Sequence, residues 1–147
     1  MHLEIITPAN VAAACALRVA PEQERFVAPV ADSLAEAYAH GDVAWPRLIV
    51  DGERVVGFLM LGIDPDNAST VHRFGIWRLA IAAGEQGKGY GRYAVEAATA
   101  EARARGVDTI TVLWERGEGG PEPFYRKLGF VPTGEELAGE VVAALRL

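Results

Sequence analysis

Four glycines fall within eight residues in the stretch GEQGKGYGR, Gly84 to Arg92, between the apolar run Ile76 to Ala83 and an alanine-rich segment. Glycine gives up more backbone freedom on folding than any other residue. A cluster this dense is kept where the chain must turn left-handed or let something approach its backbone closely. The segment before it reads as a strand. The segment after it, Tyr90 to Arg105, has apolar or small residues at 90, 94, 95, 98 and 102, one face of a helix. Gly106 stands where a left-handed cap would close that helix. The β-branched run Thr109 to Trp114 follows. The bend therefore belongs to a strand–helix–strand crossover, which should be right-handed and lay its helix on one sheet face.

Three ligands could explain such a bend. A phosphate-binding P-loop needs four residues between its first glycine and Gly-Lys, then Ser or Thr. Here two residues separate Gly84 from Gly87-Lys88, and Gly89 takes the hydroxyl position, so that reading fails. A dinucleotide fingerprint needs G-x-G-x-x-G and an acid ending the second strand. The chain offers G-x-G-x-G, and Asp108 opens the next strand instead of ending it. The third reading is Q-x-x-G-x-G at Gln86, Gly89 and Gly91. Its glycines let successive N–H groups converge on an anion, and the helix that follows adds its free N–H groups and dipole. That suits a diphosphate, with Lys88 and Arg92 supplying positive charge at the rim. A glycine-rich corner without a ligand is the plain alternative.

The rest of the chain supplies a single domain over residues 1–147. Leu3 to Ile6 reads as a strand. A helix is expected from the cap Thr7, with Pro8 first, to about Val19, and another from Ala31 to Ala39 with Asp32-Ser33 as its cap. Trp45 to Val50 and Arg54 to Leu61 form a hairpin across Asp51-Gly52, and Val71 to Ile81 is a third strand. Pro121 to Leu128 reads as a short helix, and Phe130 to Pro132 and Glu140 to Leu147 as two last strands. The order describes a mixed α/β sandwich with one parallel crossover. Acidic side chains outnumber basic ones, 20 to 14, which argues against a nucleic-acid partner. No apolar run reaches the roughly 20 residues of a membrane span, and the start MHLEIITPAN lacks the pattern of a secretory signal. A soluble, cytoplasmic protein is expected. Cys15 is the sole cysteine and reads as a buried structural thiol. His2, His40 and His72 lack metal-ligand spacing, so no metal is expected. Trp45, Trp77 and Trp114 read as core or sheet-face residues.

With the bend in place, the sequence resembles the GNAT superfamily of N-acetyltransferases over nearly its whole length. The family's acetyl-CoA signature, Q/R-x-x-G-x-G/A, matches Gln86 to Gly91. The preceding IWRLAIAA and the later PFYRKLGFVPTGE match in order and spacing. The start and end stretches, ITPAN, FVAPVADSLAEAY and GEVVAALRL, look similar to the diamine, spermine or spermidine acetyltransferase branch. The resemblance implies a central mixed, mostly antiparallel sheet splayed between strands 4 and 5 and flanked by helices. Acetyl-CoA would lie in the splay, its pantetheine arm beside the main chain of Leu79, Ala80 and Ile81. The diphosphate would rest on Gln86, Gly87, Lys88, Gly89, Tyr90, Gly91 and Arg92, with Phe124 and Lys127 as further cofactor contacts. The last strands would provide a homodimer interface.

The same resemblance makes Tyr125 the general acid. Acetyl transfer from a thioester to an amine needs no metal. It needs a deprotonated nucleophile, a held carbonyl and a proton for the departing thiolate. A tyrosine with a pKa of about 10 carries that proton at neutral pH. From residues alone, Tyr125 reads first as an aromatic packing its short helix on the sheet. The base is less defined, because Trp77 and Arg78 stand where some relatives carry a strand carboxylate. Glu115 acting through water, or water alone, are the two options. Glu118 replaces an asparagine that in many relatives contacts pantetheine. Between Pro21 and Asp42, Glu22, Glu24, Asp32, Glu36 and Asp42 outnumber Arg25. By themselves they read as the charged outer faces of two helices. The resemblance implies that this segment walls the acceptor site, where they would attract a small amine, above all a polyamine. The alternatives are a CoA-binding sensor without turnover and an enzyme acting on a protein or peptide amine.

Overall fold

The computed structural model describes residues 1–147. Its centre is the pair β4 (Phe74–Ile81) and β5 (Thr109–Trp114), joined through helix α3 (Tyr90–Ala104). These two strands run parallel and pair only at Gly75 with Thr111 and Ile76 with Val112. Around them lie β1 (His2–Glu4), β2 (Ala44–Asp51), β3 (Arg54–Ile63), β6 (Val131–Leu137) and β7 (Glu140–Arg146). The sheet order is β1-β2-β3-β4-β5-β7-β6, and every neighbouring pair except β4 and β5 is antiparallel. The mixed sheet flanked by helices is the fold the sequence implies. No helix is long and apolar enough to cross a membrane.

Each sheet face carries its own core because strand side chains alternate. On one face α3 packs Tyr90, Ala94, Val95, Ala98 and Ala102, all buried, against Leu59, Leu61, Ile76 and Ile110. These are the five positions that the helical period selects. On the other face, α1 (Val11–Ala16) and α2 (Val30–Ala39) cover Leu48, Phe58, Met60 and Ala80. Met60 pairs with Arg78 whereas Leu61 pairs with Ile76, so Trp77 is one extra residue on β4, a bulge. It turns both Trp77 and Arg78 toward the side of α1 and α2, where His40 meets the Trp77 ring and Glu36 meets Arg78.

Several boundaries differ from expectation for identifiable reasons. The first helix is only six residues long. The Asn10 side chain accepts from the Thr7 N–H at 2.8 Å and donates to the Ile5 carbonyl at 2.9 Å, so a turn occupies the place where Thr7 would cap. Leu17 is already extended, and a 3₁₀ turn over Pro21–Phe26 follows that no sequence signal announced. Helix α2 starts after Pro29, and the Ser33 hydroxyl bonds back to the Pro29 carbonyl instead of capping. The long strand expected over Val71 to Ile81 breaks into a 3₁₀ turn at Thr70–His72 and then β4, because the Thr111 hydroxyl donates to the Val71 carbonyl at 2.7 Å. Cys15 is half-buried, not enclosed. α4 (Glu122–Lys127) is the short proline-led helix. Finally β6 runs on to Leu137, and a turn with Ala138 and Gly139 both at positive φ leads into β7.

Candidate active site

Beyond Ile76 the edge of β4 that faces β5 has no strand partner, and the gap between the two strands opens into a cavity of about 1450 Å³. The glycine bend closes one end of it. Gly89, at φ 88°, takes the left-handed conformation at the head of α3, with no side chain capping the helix. From Gln86 through Arg92 no backbone N–H donates to another backbone group. The first to do so is Tyr93, to the Gly89 carbonyl at 3.0 Å. The N–H groups of the bend thus lack close backbone partners, at the positive end of a 15-residue helix. Gly91 serves packing as well. A Cβ there would lie 2.9 Å from Cε1 of Phe124, so the missing side chain lets α4 close against the start of α3.

Tyr125 enters from α4 and is buried. Its ring stacks on Trp114 with centroids 5.9 Å apart, and meets Phe124 and Phe130 edge-on at 5.0 and 5.4 Å. Burial in this aromatic box pushes the phenol well above its ordinary pKa. Low dielectric disfavours any anion placed here, so a thiolate generated beside it is destabilised too. The Trp114 indole N–H is sealed in without a partner.

The cavity wall brings together Leu79, Ala80, Ile81, Gln86, Gly87, Gly89, Tyr90, Gly91, Arg92, Phe124, Tyr125 and Lys127. Lys88 does not belong to it. Its ammonium is 3.1 Å from Glu85, a partner that sequence reading did not assign. Glu118 also lies outside the wall, whereas Trp77, Arg78 and Glu115 line it. Of the five acids between Pro21 and Asp42, Glu24 alone lines the cavity, and Glu36 is engaged by Arg78 at 3.1 Å. The negative wall expected from that segment is therefore thin. Asp64, Glu85, Glu115 and Glu140 also line the cavity, beside Arg25, Arg78, Arg92 and Lys127.

Two contact sets were invisible in the sequence. The 3₁₀ turn Pro21–Phe26 straddles the cavity. Gln23 exchanges side-chain amide hydrogen bonds with Gln86 on one lip, and Arg25 lies 3.9 Å from Glu115 on the other. On the outer side, the Tyr90 hydroxyl donates to Asp51 at 2.5 Å, and Arg54 pairs with Glu85. One signal pointed to the second set. A tyrosine at a core position of a helix needs a partner for its hydroxyl.

A mixed, mostly antiparallel sheet that parts between two parallel strands beside the start of a helix is a fold of the acetyltransferase type. The chain belongs to the acetyltransferase (GNAT) family, whose model matches residues 8–130. Among solved structures it is similar to an aminoglycoside 6'-acetyltransferase type Ii, at 20% identity and TM-score 0.71 over 99% of this chain and 97% of that one. It is similar also to the ribosomal-protein-S18-alanine N-acetyltransferase from Escherichia coli, at 17% identity and TM-score 0.70 over 99% and 92%. A third is the PaiA N-acetyltransferase from Thermoplasma acidophilum in complex with coenzyme A, at 14% identity and TM-score 0.63 over 80% and 77%. At these identities the likeness is one of fold. No curated protein matches the sequence.

Proposed function

We propose that the chain transfers an acetyl group from acetyl-CoA directly to a small amine. The single observation that carries this is the run of N–H groups from Gln86 to Arg92 without backbone partners at the head of α3, in residues that all, save Lys88, line the same cavity as Tyr125. The fit to acetyl-CoA is chemical. Converging donors suit a diphosphate, the unpaired edge of β4 at Leu79, Ala80 and Ile81 suits an amide-bearing arm, and Arg92 and Lys127 on the wall favour an anion. Of the basic residues in the bend, Arg92 has this role and Lys88 is held by Glu85.

When bound, acetyl-CoA supplies an activated acyl group, the thioester. The edge of β4 orients the carbonyl, and a main-chain N–H there stabilises negative charge on its oxygen. The amine nitrogen bonds the acetyl carbon, the C–S bond breaks, and Tyr125 gives its hydroxyl proton to the departing sulfur. Burial raises the phenol's pKa, so the resting enzyme carries the Tyr125 proton at neutral pH. β4 carries Trp77 and Arg78 in place of a carboxylate, and the amine proton leaves through the open side of the cavity, with Glu115 at its border.

The acceptor is a cation, a polyamine or diamine, because Glu24, Asp64 and Glu140 line the cavity while Arg25 and Arg78 there are paired with Glu115 and Glu36. The test is thiol release from acetyl-CoA against a panel of amines, with the product weighed by mass spectrometry. Spermidine or spermine should be preferred, and the preference should shrink as salt rises. Coenzyme A binding with no acceptor-dependent release would leave a sensor instead.

A further inference from the structure

We propose that the β2–β3 hairpin is the outer wall of the diphosphate site, where Asp51 fixes the start of α3 through Tyr90 and Arg54 neutralises Glu85. This rests on the acetyl-CoA reading above and adds to it residues far from the motif in sequence.

Tyr90 is the first residue of α3 and is 5% exposed. Its ring belongs to the core that holds the helix on the sheet, and its hydroxyl donates to Asp51 Oδ2 at 2.5 Å. Asp51 closes β2, immediately before the hairpin turn at Gly52. The bond ties the helix end whose N–H groups face the cavity to a turn of the rigid sheet. A rotation of α3 about its axis would swing those donors off a common point, and this bond opposes it. Oxyanion and phosphate sites depend on such fixed donors, since donors that must be ordered on binding give back part of their energy.

Glu85 poses a separate problem. It lies in the bend itself and lines the cavity, where a bare carboxylate would repel a diphosphate. Arg54, the first residue of β3, pairs with it, and Lys88 approaches it at 3.1 Å. The two cations hold the Glu85 carboxyl below its usual range, Lys88 first and Arg54 next among the attractive partners. Lys88 is half exposed and its contact with Glu85 is open to water, which weakens it. Arg54, anchored at the start of β3, is the second counter-charge.

The test compares coenzyme A with pantetheine, which lacks the diphosphate, by calorimetric titration of the wild type and four variants. Tyr90→Phe and Asp51→Asn should each weaken coenzyme A about tenfold relative to pantetheine, the scale of one hydrogen bond to a charged group. Arg54→Gln should weaken it by a similar factor, and Arg54→Gln combined with Glu85→Gln should recover most of that loss. An unchanged ratio in Tyr90→Phe and Asp51→Asn, or a double variant as weak as Arg54→Gln alone, overturns the proposal. Wild-type protein that binds coenzyme A no better than pantetheine overturns the acetyl-CoA reading and this one with it. Tight wild-type binding with unmoved variants overturns this one alone.

Discussion

The ring of Tyr125 lies 5° from parallel to that of Trp114, 5.9 Å away. The last residue of β5 therefore sets where the phenol of α4 stands, and with Phe124 and Phe130 it forms a three-sided aromatic box. Packing and chemistry meet in one side chain here, and they can be separated. Tyr125→Phe keeps the ring in its box and removes only the hydroxyl. The turnover number is expected to fall by about 100-fold or more, the scale of a lost general acid, with the Kd for coenzyme A within about twofold of wild type. The melting temperature should hold or rise, because burying a hydroxyl away from water costs free energy that phenylalanine does not. Turnover equal to wild type would remove Tyr125 from the chemistry and leave it a packing residue.

The ionisable groups predict behaviour at both ends of the pH scale. Burial raises the Tyr125 phenol, so the profile of turnover should show no falling limb from its ionisation below about pH 10. At the acid end Asp51 titrates below its ordinary value, chiefly because the Tyr90 hydroxyl donates to it, and Glu85 does so because of Lys88 and Arg54. A folded-state pKa below the unfolded one gives stability that is complete above the unfolded value, near 4, and lost as pH falls through the folded value. Thermal stability should therefore fall below about pH 4. Asp51→Asn combined with Glu85→Gln should start lower at neutral pH and fall less steeply in acid. Parallel curves for variant and wild type would mean that these carboxylates are not the groups being titrated.

The cavity owes its shape to an absent side chain. A Cβ on Gly91 would sit 2.9 Å from Cε1 and 3.0 Å from Cζ of Phe124, and Phe124 leans edge-on against Tyr125. Gly91→Ala should cost about 1–3 kcal/mol through overpacking. It should also lower turnover, because the displaced Phe124 pushes on Tyr125. Denaturant unfolding measures the first effect and steady-state kinetics the second. A variant of wild-type stability and turnover would mean that α4 drifts outward at no cost.

Much of this was legible in the chain because it is local. The glycine bend, the five buried positions of α3, the Asp51-Gly52 hairpin and the β5 run follow from spacings of a few residues, and all are present in the fold. What escaped reading depends on residues far apart. Gln23 and Gln86 are 63 positions apart, and Tyr90 and Asp51 are 39 apart. No period or motif links them. The acidic count between Pro21 and Asp42 misled for the same reason, since Glu36 meets Arg78 across 42 positions. The helix expected from Thr7 fell short because Asn10 offered the backbone a competing turn.

The 3₁₀ turn Pro21–Phe26 reaches both lips of the cavity and gives the last prediction. Gln23 holds Gln86, the first residue of the bend proposed to bind the diphosphate. Phe26 lies against the loop after β5, with its Cε1 3.1 Å from where a Cβ of Gly120 would be. Arg25 stacks on that ring, 4.4 Å from its centroid. The Gln23–Gln86 contact is exposed, so Gln23→Ala should shift stability by no more than about 0.5 kcal/mol. Its effect should fall on binding. With one end loose, the turn no longer presents Glu24 to the cavity in a fixed place, and the KM for an amine acceptor should rise severalfold at saturating acetyl-CoA. The same variant should gain activity toward short peptides with free N-termini, for which a bridged cavity leaves little room. Unaltered acceptor KM and no gain on peptides would make the turn a cover that the reaction ignores.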